Sequence, residues 1–119
     1  MSTNSPLDQK KQVGQQGEAA AVLFFEKTGA VLLARNSRVG RYEIDLIFKT
    51  PEGLLFVEVK AQSSPGNPAE AVTNAQFQRL LSAAGVFARR YSSSMESALV
   101  LYLHYPRNPN LDLCIPMDP

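Results

Sequence analysis

Two carboxylates and one lysine have the types and spacing in this sequence that favour chemistry. Asp45 stands in an apolar run, and Glu58 and Lys60 stand together in the next apolar run. Carboxylate oxygens suit Mg²⁺, which commonly takes one or two of them together with waters and substrate phosphates. An ammonium group beside such a metal can orient or activate water and stabilise charge on phosphate. The three residues are therefore the minimal apparatus for hydrolysing a phosphodiester.

A hairpin is predicted to position these groups. Residues 42–48 and 54–60 are apolar apart from their charged positions, and the turn-forming residues Pro51 and Gly53 lie between them. Two such runs around a short turn predict a pair of antiparallel strands. Strands this apolar are typical of central strands that are covered on both sides.

Strand periodicity sorts the side chains of the hairpin by face, because neighbouring residues point to opposite sides. The first strand is predicted to carry Tyr42, Ile44, Leu46 and Phe48 on one face and Glu43, Asp45 and Ile47 on the other. The second is predicted to carry Leu55, Val57 and Val59 on one face and Phe56, Glu58 and Lys60 on the other. The charged groups of each strand therefore share a face.

The register of the hairpin depends on its turn. A two-residue turn at positions 51–52 places Asp45 opposite Glu58 and Glu43 opposite Lys60. A three-residue loop with its glycine in a bulge is the alternative, and it separates the two carboxylates unless a second bulge corrects it. Opposed carboxylates are destabilising without positive charge between them. A metal site is one interpretation, and a solvated strand face with a cross-strand ion pair is the other.

The rest of the chain predicts an α/β fold. Helices are expected over residues 11–27 and 69–91, and further strands over residues 30–35 and 97–105 with an edge strand near 111–115. Residues 36–41 are expected to form a polar turn. The order helix, three strands, helix, strand predicts a mixed central sheet flanked by helices, with an αβββαβ core.

Composition limits the organisation of the chain and the function classes open to it. The length of 119 residues suits one domain over residues 11–119, preceded by a polar and flexible tail at 1–10. A lone cysteine, Cys114, and a lone histidine, His104, exclude an internal disulfide, a zinc finger and a His-dependent protease. The longest apolar run, residues 98–103, is far too short to span a membrane, and the first residues lack a signal-peptide core. We therefore expect a cytoplasmic protein without a membrane partner.

The motif and its surrounding elements resemble known proteins. Asp45 followed by Glu58-Val-Lys60 on a hairpin resembles the PD-(D/E)xK nuclease signature. More closely, four segments resemble the bacterial YraN family: Gly14-Gln-Gln-Gly17-Glu18-Ala19, Arg35-Asn36, Glu43-Ile-Asp45-Leu-Ile47 and Phe56-Val-Glu58-Val-Lys60. The resemblance covers roughly residues 14–103. It implies a restriction-endonuclease-like fold, similar to archaeal Holliday-junction resolvases. It also implies a nuclease that acts on DNA, branched or processed DNA included, with Mg²⁺ as cofactor and Mn²⁺ as its substitute.

The resemblance assigns roles residue by residue. Asp45 and Glu58 match the metal-binding carboxylates, and Lys60 matches the catalytic lysine. Glu18 matches an additional carboxylate on the first helix, which assists the metal. An ordinary glutamate in the N-terminal part of the helix, favoured there by the helix dipole, is the alternative for Glu18.

The chain also departs from the pattern it resembles. A basic residue is expected soon after the lysine, where this chain has Gln62, and a lysine early in the second helix, where it has Gln76. Glutamine still hydrogen-bonds phosphate or water but supplies no charge. Glu43 matches a position usually preceded by glycine, here replaced by Tyr42, and its alternative role is that of a partner for Lys60.

Nucleic-acid contacts are predicted just before the site strand. Arg35, Arg38 and Arg41 lie where phosphates would approach, and a solvated loop is the alternative. The remaining arginines of the second helix, Arg79 and Arg90 among them, are expected to be ordinary exposed helix charges.

Two other function classes remain open at this point. The first is a non-catalytic nucleic-acid-binding module on the same fold, which Gln62 and Gln76 favour. The second is a structural or protein-interaction domain in which the charged residues form an ion-pair network. A homodimer would supply two sites for cutting two strands, and nothing in the sequence demonstrates one.

Overall fold

The computed structural model describes residues 5–62, 72–92 and 94–117. In chain order the elements are α1 (Pro6–Lys27), β1 (Val31–Val39), β2 (Tyr42–Thr50), β3 (Gly53–Ala61), α2 (Asn74–Tyr91), β4 (Glu96–His104) and β5 (Leu113–Met117), with a short 3₁₀ turn at Pro109–Leu111. The predicted α/β class and the αβββαβ order are confirmed, and β5 adds a fifth strand. None of the helices within the described residues is long and apolar enough to cross a membrane.

The sheet is mixed, and its strand order follows the chain order, β1-β2-β3-β4-β5. All neighbouring strands are antiparallel except β3 and β4, which run parallel because α2 connects them as a crossover. The carboxyl ends of these two strands therefore lie side by side, with Lys60 of β3 paired to Leu103 of β4. Glu58 and Lys60 stand near this end of β3.

Two hydrophobic clusters cover the two faces of the sheet. The first packs α1 on the sheet and contains Ala21, Val22, Phe25, Leu46, Phe48, Val57, Val100 and Tyr102. The second packs α2 on the sheet and contains Ile44, Ile47, Leu54, Phe56, Leu80, Ala83, Ala84 and Leu99. We call them the α1-side and the α2-side clusters. Apolar cover on both faces explains why β2 and β3 are so rich in apolar residues.

The β2–β3 turn has the two-residue form that the sequence predicted. Thr50 pairs with Gly53, and the Thr50 hydroxyl accepts hydrogen bonds from the Glu52 and Gly53 amides at 3.2 Å each. Gly53 has a φ of 143°, and a Cβ atom there would lie 2.2 Å from the carbonyl oxygen of Glu96. Only glycine fits this contact with β4, so the turn fixes both the hairpin register and the start of the parallel pair.

Several element boundaries differ from the sequence-based prediction. Helix α1 begins at Pro6, so residues 6–10 are helical and not a tail, while residues 1–4 lie outside the described residues. Strand β1 continues to Val39, so the predicted turn shrinks to positions 40–41. Helix α2 begins at Asn74, because Thr73 caps it; of the earlier predicted positions, 69–71 lie outside the described residues.

A buried polar network closes the far edge of the sheet, and we call it the Asp112 network. The Asp112 carboxylate accepts hydrogen bonds from the Tyr102 hydroxyl at 2.8 Å and from the Tyr105 amide at 2.8 Å. Nδ1 of His104 lies 2.9 Å from the same carboxylate. His104 is buried, with 4% of its surface exposed. This network fastens the end of β4 to the segment that leads into β5.

Candidate active site

Strands β2 and β3 separate at Asp45. Their ladder runs from Thr50–Gly53 to Leu46–Val57, in the register that a two-residue turn predicts. The next predicted pair, Asp45 with Glu58, does not form. Instead Oδ2 of Asp45 accepts a hydrogen bond from the Val59 amide at 2.8 Å. The carboxylate thus replaces a backbone carbonyl as the partner of β3, and the strands diverge around it.

This divergence corrects the predicted faces of β2. Ile44 and Leu46 were predicted to share a face, but Ile44 packs in the α2-side cluster and Leu46 in the α1-side cluster. Tyr42 packs with Ile44, so the alternation breaks between positions 44 and 46. The physical reason is that Asp45, which lies between them, turns its side chain to the β3 backbone.

Glu58 is the most constrained carboxylate of the site. Its Oε2 accepts a hydrogen bond from the Tyr42 hydroxyl at 2.9 Å, and its Oε1 lies 3.7 Å from Nζ of Lys60. The Glu58 side chain is 13% exposed and that of Lys60 is 33% exposed. Lys60 therefore pairs with Glu58 on its own strand, and the predicted ladder pair of Lys60 with Glu43 does not form.

Burial and like charge make the two central carboxylates more basic than usual. Burial first, and then the charge of Asp45, raises the pKa of Glu58 to about 7. Burial also raises the pKa of Asp45, against the lowering effect of the Val59 amide. The two carboxyl groups are hydrogen-bonding neighbours. The pair thus holds a proton at acidic pH, and as pH rises through 7 it gains a second negative charge that Lys60 alone does not neutralise.

Glu18 approaches the pair from α1. Burial, and then the charge of Asp45, raises the pKa of Glu18. Asn36, with its amide nitrogen facing the carboxylates, donates to Oε1 of Glu18 at 3.1 Å and to Oε1 of Glu43 at 3.3 Å. Asn36 has a φ of 49°, in the left-handed region that asparagine tolerates better than most residues. Its backbone conformation thus serves a contact between α1 and β2.

A close helix–sheet approach brings Glu18 to this position. A Cβ atom on Gly17 would lie 3.1 Å from Cγ1 of Val59 and 3.3 Å from Cβ of His104. The absence of a side chain at Gly17 therefore lets α1 lie directly on β3 and β4. The next residue of the helix is Glu18, whose pKa is raised by burial and then by the charge of Asp45.

The two carboxylates suit a hard divalent cation that takes only a few of its ligands from the protein. Asp45 and Glu58 supply carboxylate oxygens, which suits Mg²⁺ with waters and phosphate oxygens as its other ligands. Burial first, and then the charge of Asp45, raises the pKa of Glu58, and a cation at this position would relieve both effects. Within the described part of the chain, no three His, Cys, Asp or Glu side chains form a ready-made metal cage. The fit is therefore to a two-carboxylate site, with Glu18 beside it.

The predicted basic residues are divided between two surfaces. Arg35 lies near Glu18, since its charge lowers the pKa of that carboxyl against the dominant effect of burial. Arg38 is exposed on β1, where it pairs with Glu43 in the ladder. Arg41 lies in the β1–β2 turn and lines a groove with residues of α2.

Both glutamines that stand in place of basic residues have structural contacts. The Gln62 amide donates to the His104 carbonyl at 2.9 Å, and Oε1 of Gln62 accepts from the Tyr105 hydroxyl at 3.2 Å. The Gln76 side chain accepts from the Thr73 amide at 3.0 Å, and the Gln76 amide donates to the Thr73 hydroxyl at 3.1 Å. Gln76 thus completes the capping box of α2.

Sequence reasoning missed three residues of this region. Tyr42 was assigned to an apolar strand face, although a tyrosine at the start of a strand, next to Glu43 and three residues before Asp45, could have signalled a hydroxyl donor. Asn36 was noted as part of a motif, without its contacts. Arg79 gave no local signal, because its proximity to Tyr42 arises from the packing of α2 on the sheet.

Comparison with known proteins finds relatives across most of the chain. The model of the uncharacterised protein family UPF0102 matches residues 17–109. A UPF0102 protein of Herminiimonas arsenicoxydans is 39% identical over 88 residues, which cover 72% of this chain and 71% of the relative. A UPF0102 protein of Desulforapulum autotrophicum is 42% identical over 82 residues, with 67% and 68% covered. One of Symbiobacterium thermophilum is 41% identical over 85 residues, with 70% and 72% covered.

Proposed function

Since the chain belongs to the uncharacterised protein family UPF0102, which is the YraN family, we propose that it is a metal-dependent nuclease that hydrolyses DNA phosphodiesters. The observation that carries the proposal is the meeting of Asp45, Glu58 and Lys60 where β2 and β3 diverge. Branched or processed DNA is the proposed substrate class.

A hydrogen-bond donor of the protein orients each proposed metal ligand. The Val59 amide orients the carboxylate of Asp45, and the Tyr42 hydroxyl orients that of Glu58. Mg²⁺ held by these two carboxylates, with Mn²⁺ as a substitute, would supply Lewis-acid activation of the phosphate. Fixed donors of this kind need no reorganisation during the reaction, which is the main source of electrostatic catalysis.

Lys60 supplies the positive charge that the chemistry requires. Its ammonium lies 3.7 Å from Glu58, on the same strand and at the same opening between strands. In this position it can hold the attacking water by a hydrogen bond and stabilise the charge that develops on the phosphate. Glu18 adds negative potential from α1, which strengthens the attraction for a cation at Asp45.

The first test is metal binding, since it requires no assumption about the substrate. Mn²⁺ and Mg²⁺ are titrated calorimetrically into the wild type, Asp45→Asn and the exposed control Glu52→Gln, with circular dichroism to verify folding. We expect binding in the wild type and the control, and its loss in Asp45→Asn. The titration is repeated with a DNA strand that carries non-hydrolysable linkages, because some sites fill only beside phosphate. A folded wild type that binds no metal in either condition would contradict the proposal.

The second test is cleavage of single-stranded, duplex and four-way-junction DNA with Mg²⁺ or Mn²⁺. Asp45→Asn should abolish cleavage while the protein stays folded, and Glu52→Gln should retain it. Cleavage that persists in Asp45→Asn would contradict the mechanism.

A non-catalytic nucleic-acid-binding module is the second candidate function. The observation that favours it is that Gln62 and Gln76 use their side chains to hold the fold, where the family resemblance expects basic residues. This candidate predicts DNA binding that survives Asp45→Asn, together with no cleavage by the wild type.

A further inference from the structure

A groove next to the candidate site carries three guanidinium groups. Its volume is about 720 Å³, and Arg41, Arg79 and Arg90 line it together with the hydroxyl-bearing Ser82. Tyr42 forms part of its wall. The sequence predicted Arg79 and Arg90 as ordinary exposed helix charges, so this convergence is visible only in the folded chain.

The groove follows one stripe of α2. Arg79, Ala83, Val86 and Arg90 are spaced by four, three and four residues, which places them along one side of a helix. Arg41 of the β1–β2 turn also lines the groove, and the apolar lining residues, Ala83 and Val86 among them, form its apolar floor.

Among the side chains that the structure describes, the three arginines have no acidic partner. None of the residues that line the groove is acidic. For the described side chains of residues 12–62, 72–92 and 94–117, no carboxylate forms a salt bridge with Arg41, Arg79 or Arg90. An uncompensated cluster of guanidinium groups creates a positive potential that concentrates anions.

Tyr42 joins the groove to the candidate site. Its hydroxyl donates to Glu58 at 2.9 Å, and the residue also lines the groove. Burial, and then the charge of Glu58, raises the pKa of Tyr42, whereas the charge of Arg79 lowers it. Tyr42 thus contacts the acidic site and lines the basic groove, so the two surfaces are contiguous.

We propose that this groove binds the phosphodiester backbone of the DNA strand that enters the site, with Arg41, Arg79 and Arg90 contacting successive phosphates. The guanidinium fork matches phosphate oxygens in pairs, and the apolar floor accommodates sugar surfaces. Backbone contacts of this kind position a strand without reading its sequence. The inference rests on the proposed function, because it names the substrate contact of the same site.

The test is the salt dependence of DNA binding in EDTA, where no cleavage occurs. Fluorescence anisotropy of a labelled single strand and a labelled duplex is measured across NaCl concentrations. The groove variant is Arg41→Gln, Arg79→Gln and Arg90→Gln together. The matched control removes the same charge from exposed residues outside the groove, by Lys27→Gln, Lys49→Gln and Arg107→Gln.

The expected result follows from counterion release. Each lost phosphate contact lowers the slope of log K against log salt by about 0.9 on duplex and about 0.7 on single-stranded DNA. The groove variant should therefore lose roughly 2 to 3 units of slope, and the control less than one unit. Should the triple variant fold poorly by circular dichroism, the three single variants replace it, each with a loss of about 0.7 to 0.9.

The design separates failure of this inference from failure of the proposed function. An unchanged slope in the groove variant would overturn the inference even if the wild type cleaves DNA. A reduced slope would support it even if no protein in the series cleaves. Wild type that does not bind DNA would overturn it. The inference would also be overturned if inorganic phosphate alone binds the groove arginines and competes fully with DNA at low millimolar concentration. The groove would then be a site for a free anion.

Discussion

Two partly buried polar clusters of this protein differ in how well donors match acceptors. In the Asp112 network, one carboxylate meets the Tyr102 hydroxyl, the Tyr105 amide and the His104 ring. In the candidate site, two neighbouring carboxyl groups share a few donors, and their pKa values are raised. The first cluster is satisfied by the chain itself, whereas in the second burial and like charge raise the pKa of Glu58, which a proton or, under the proposed function, a bound cation would relieve.

The difference separates structural from functional polar residues in terms that can be measured. Changes in the Asp112 network should alter stability, since its bonds exist in the folded chain. Changes at Asp45, Glu58 or Lys60 should alter DNA cleavage. Ionisation of the two carboxyl groups should itself lower the free energy of unfolding. Four predictions test this distinction, in order of decreasing effect.

Replacement of the site lysine should have the largest effect. Lys60→Ala removes the ammonium beside Glu58 and should slow DNA cleavage by roughly 10²- to 10³-fold, about the cost of losing one electrostatic catalytic group. Urea unfolding should change little, because Lys60 is one-third exposed. Lys49→Ala, an exposed lysine at the other end of the hairpin, is the matched control. Full activity of Lys60→Ala would show that Lys60 is a structural residue without a role in cleavage.

The pH dependence of stability should carry the signature of Glu58. The folded protein binds this proton more tightly than the unfolded chain, because the folded pKa is about 7 and the ordinary value is 4.5. The associated stability is fully present below pH 4.5 and is lost as pH rises through 7, a loss of up to about 3 kcal/mol.

Urea unfolding in EDTA at pH 5 and pH 8 measures this loss. Glu58→Gln should be less sensitive to pH than the wild type, and Mg²⁺ should stabilise the wild type more at pH 8 than at pH 5. Equal pH dependence of stability in the wild type and Glu58→Gln would show that burial does not raise the pKa of this carboxyl group.

Changes in the Asp112 network should lower the stability of the protein and leave metal binding unchanged. Asp112→Ala leaves the Tyr102 hydroxyl, the Tyr105 amide and the His104 ring without this acceptor, and should lower the free energy of unfolding by about 2 to 3 kcal/mol. Asn110→Ala in the neighbouring 3₁₀ turn is the exposed control. Metal binding per folded molecule should be unchanged, and a loss of metal affinity at full folding would join the network to the site.

The smallest effect is expected at Gln76. Gln76→Ala removes the reciprocal half of the capping box and should cost about 1 kcal/mol in urea unfolding. DNA affinity without metal should change by less than twofold. The exposed Gln78 of the same helix serves as control, since Gln78→Ala keeps the cap. A larger loss of DNA affinity than of stability would restore Gln76 to the phosphate-binding residues.

The sequence was sufficient for the parts of the fold that depend on local rules. The Pro51–Glu52 turn gave the hairpin register, and that register with a period of two brought Glu58 and Lys60 to one face. The break of alternation at Asp45 was not predictable in this way. It depends on a hydrogen bond from a side chain to the backbone of another strand, and periodicity treats every residue of a strand alike.

Tertiary packing explains the other gaps. Arg79 and Arg90 join Arg41 only when α2 crosses the sheet, so the groove has no contiguous sequence signature. Asp112 lies in the segment predicted as an edge strand near 111–115, and its partners belong to β4 and the residue after it, so no local pattern marks them. Gln76 was interpreted through the family resemblance, although a threonine three residues earlier already matched a capping box.

The close contact at Gly17 makes the geometry of the candidate site depend on a residue without a side chain. A methyl group there must displace Val59 or His104 by a few tenths of an ångström, or lift α1 from the sheet. Lifting α1 alters the spacing between Glu18 and Asp45, and a shift of Val59 disturbs the amide that orients Asp45. Gly17→Ala would therefore resemble a catalytic mutation in an activity screen while acting purely as a change of spacing. A crystal structure of that variant would tell the two apart.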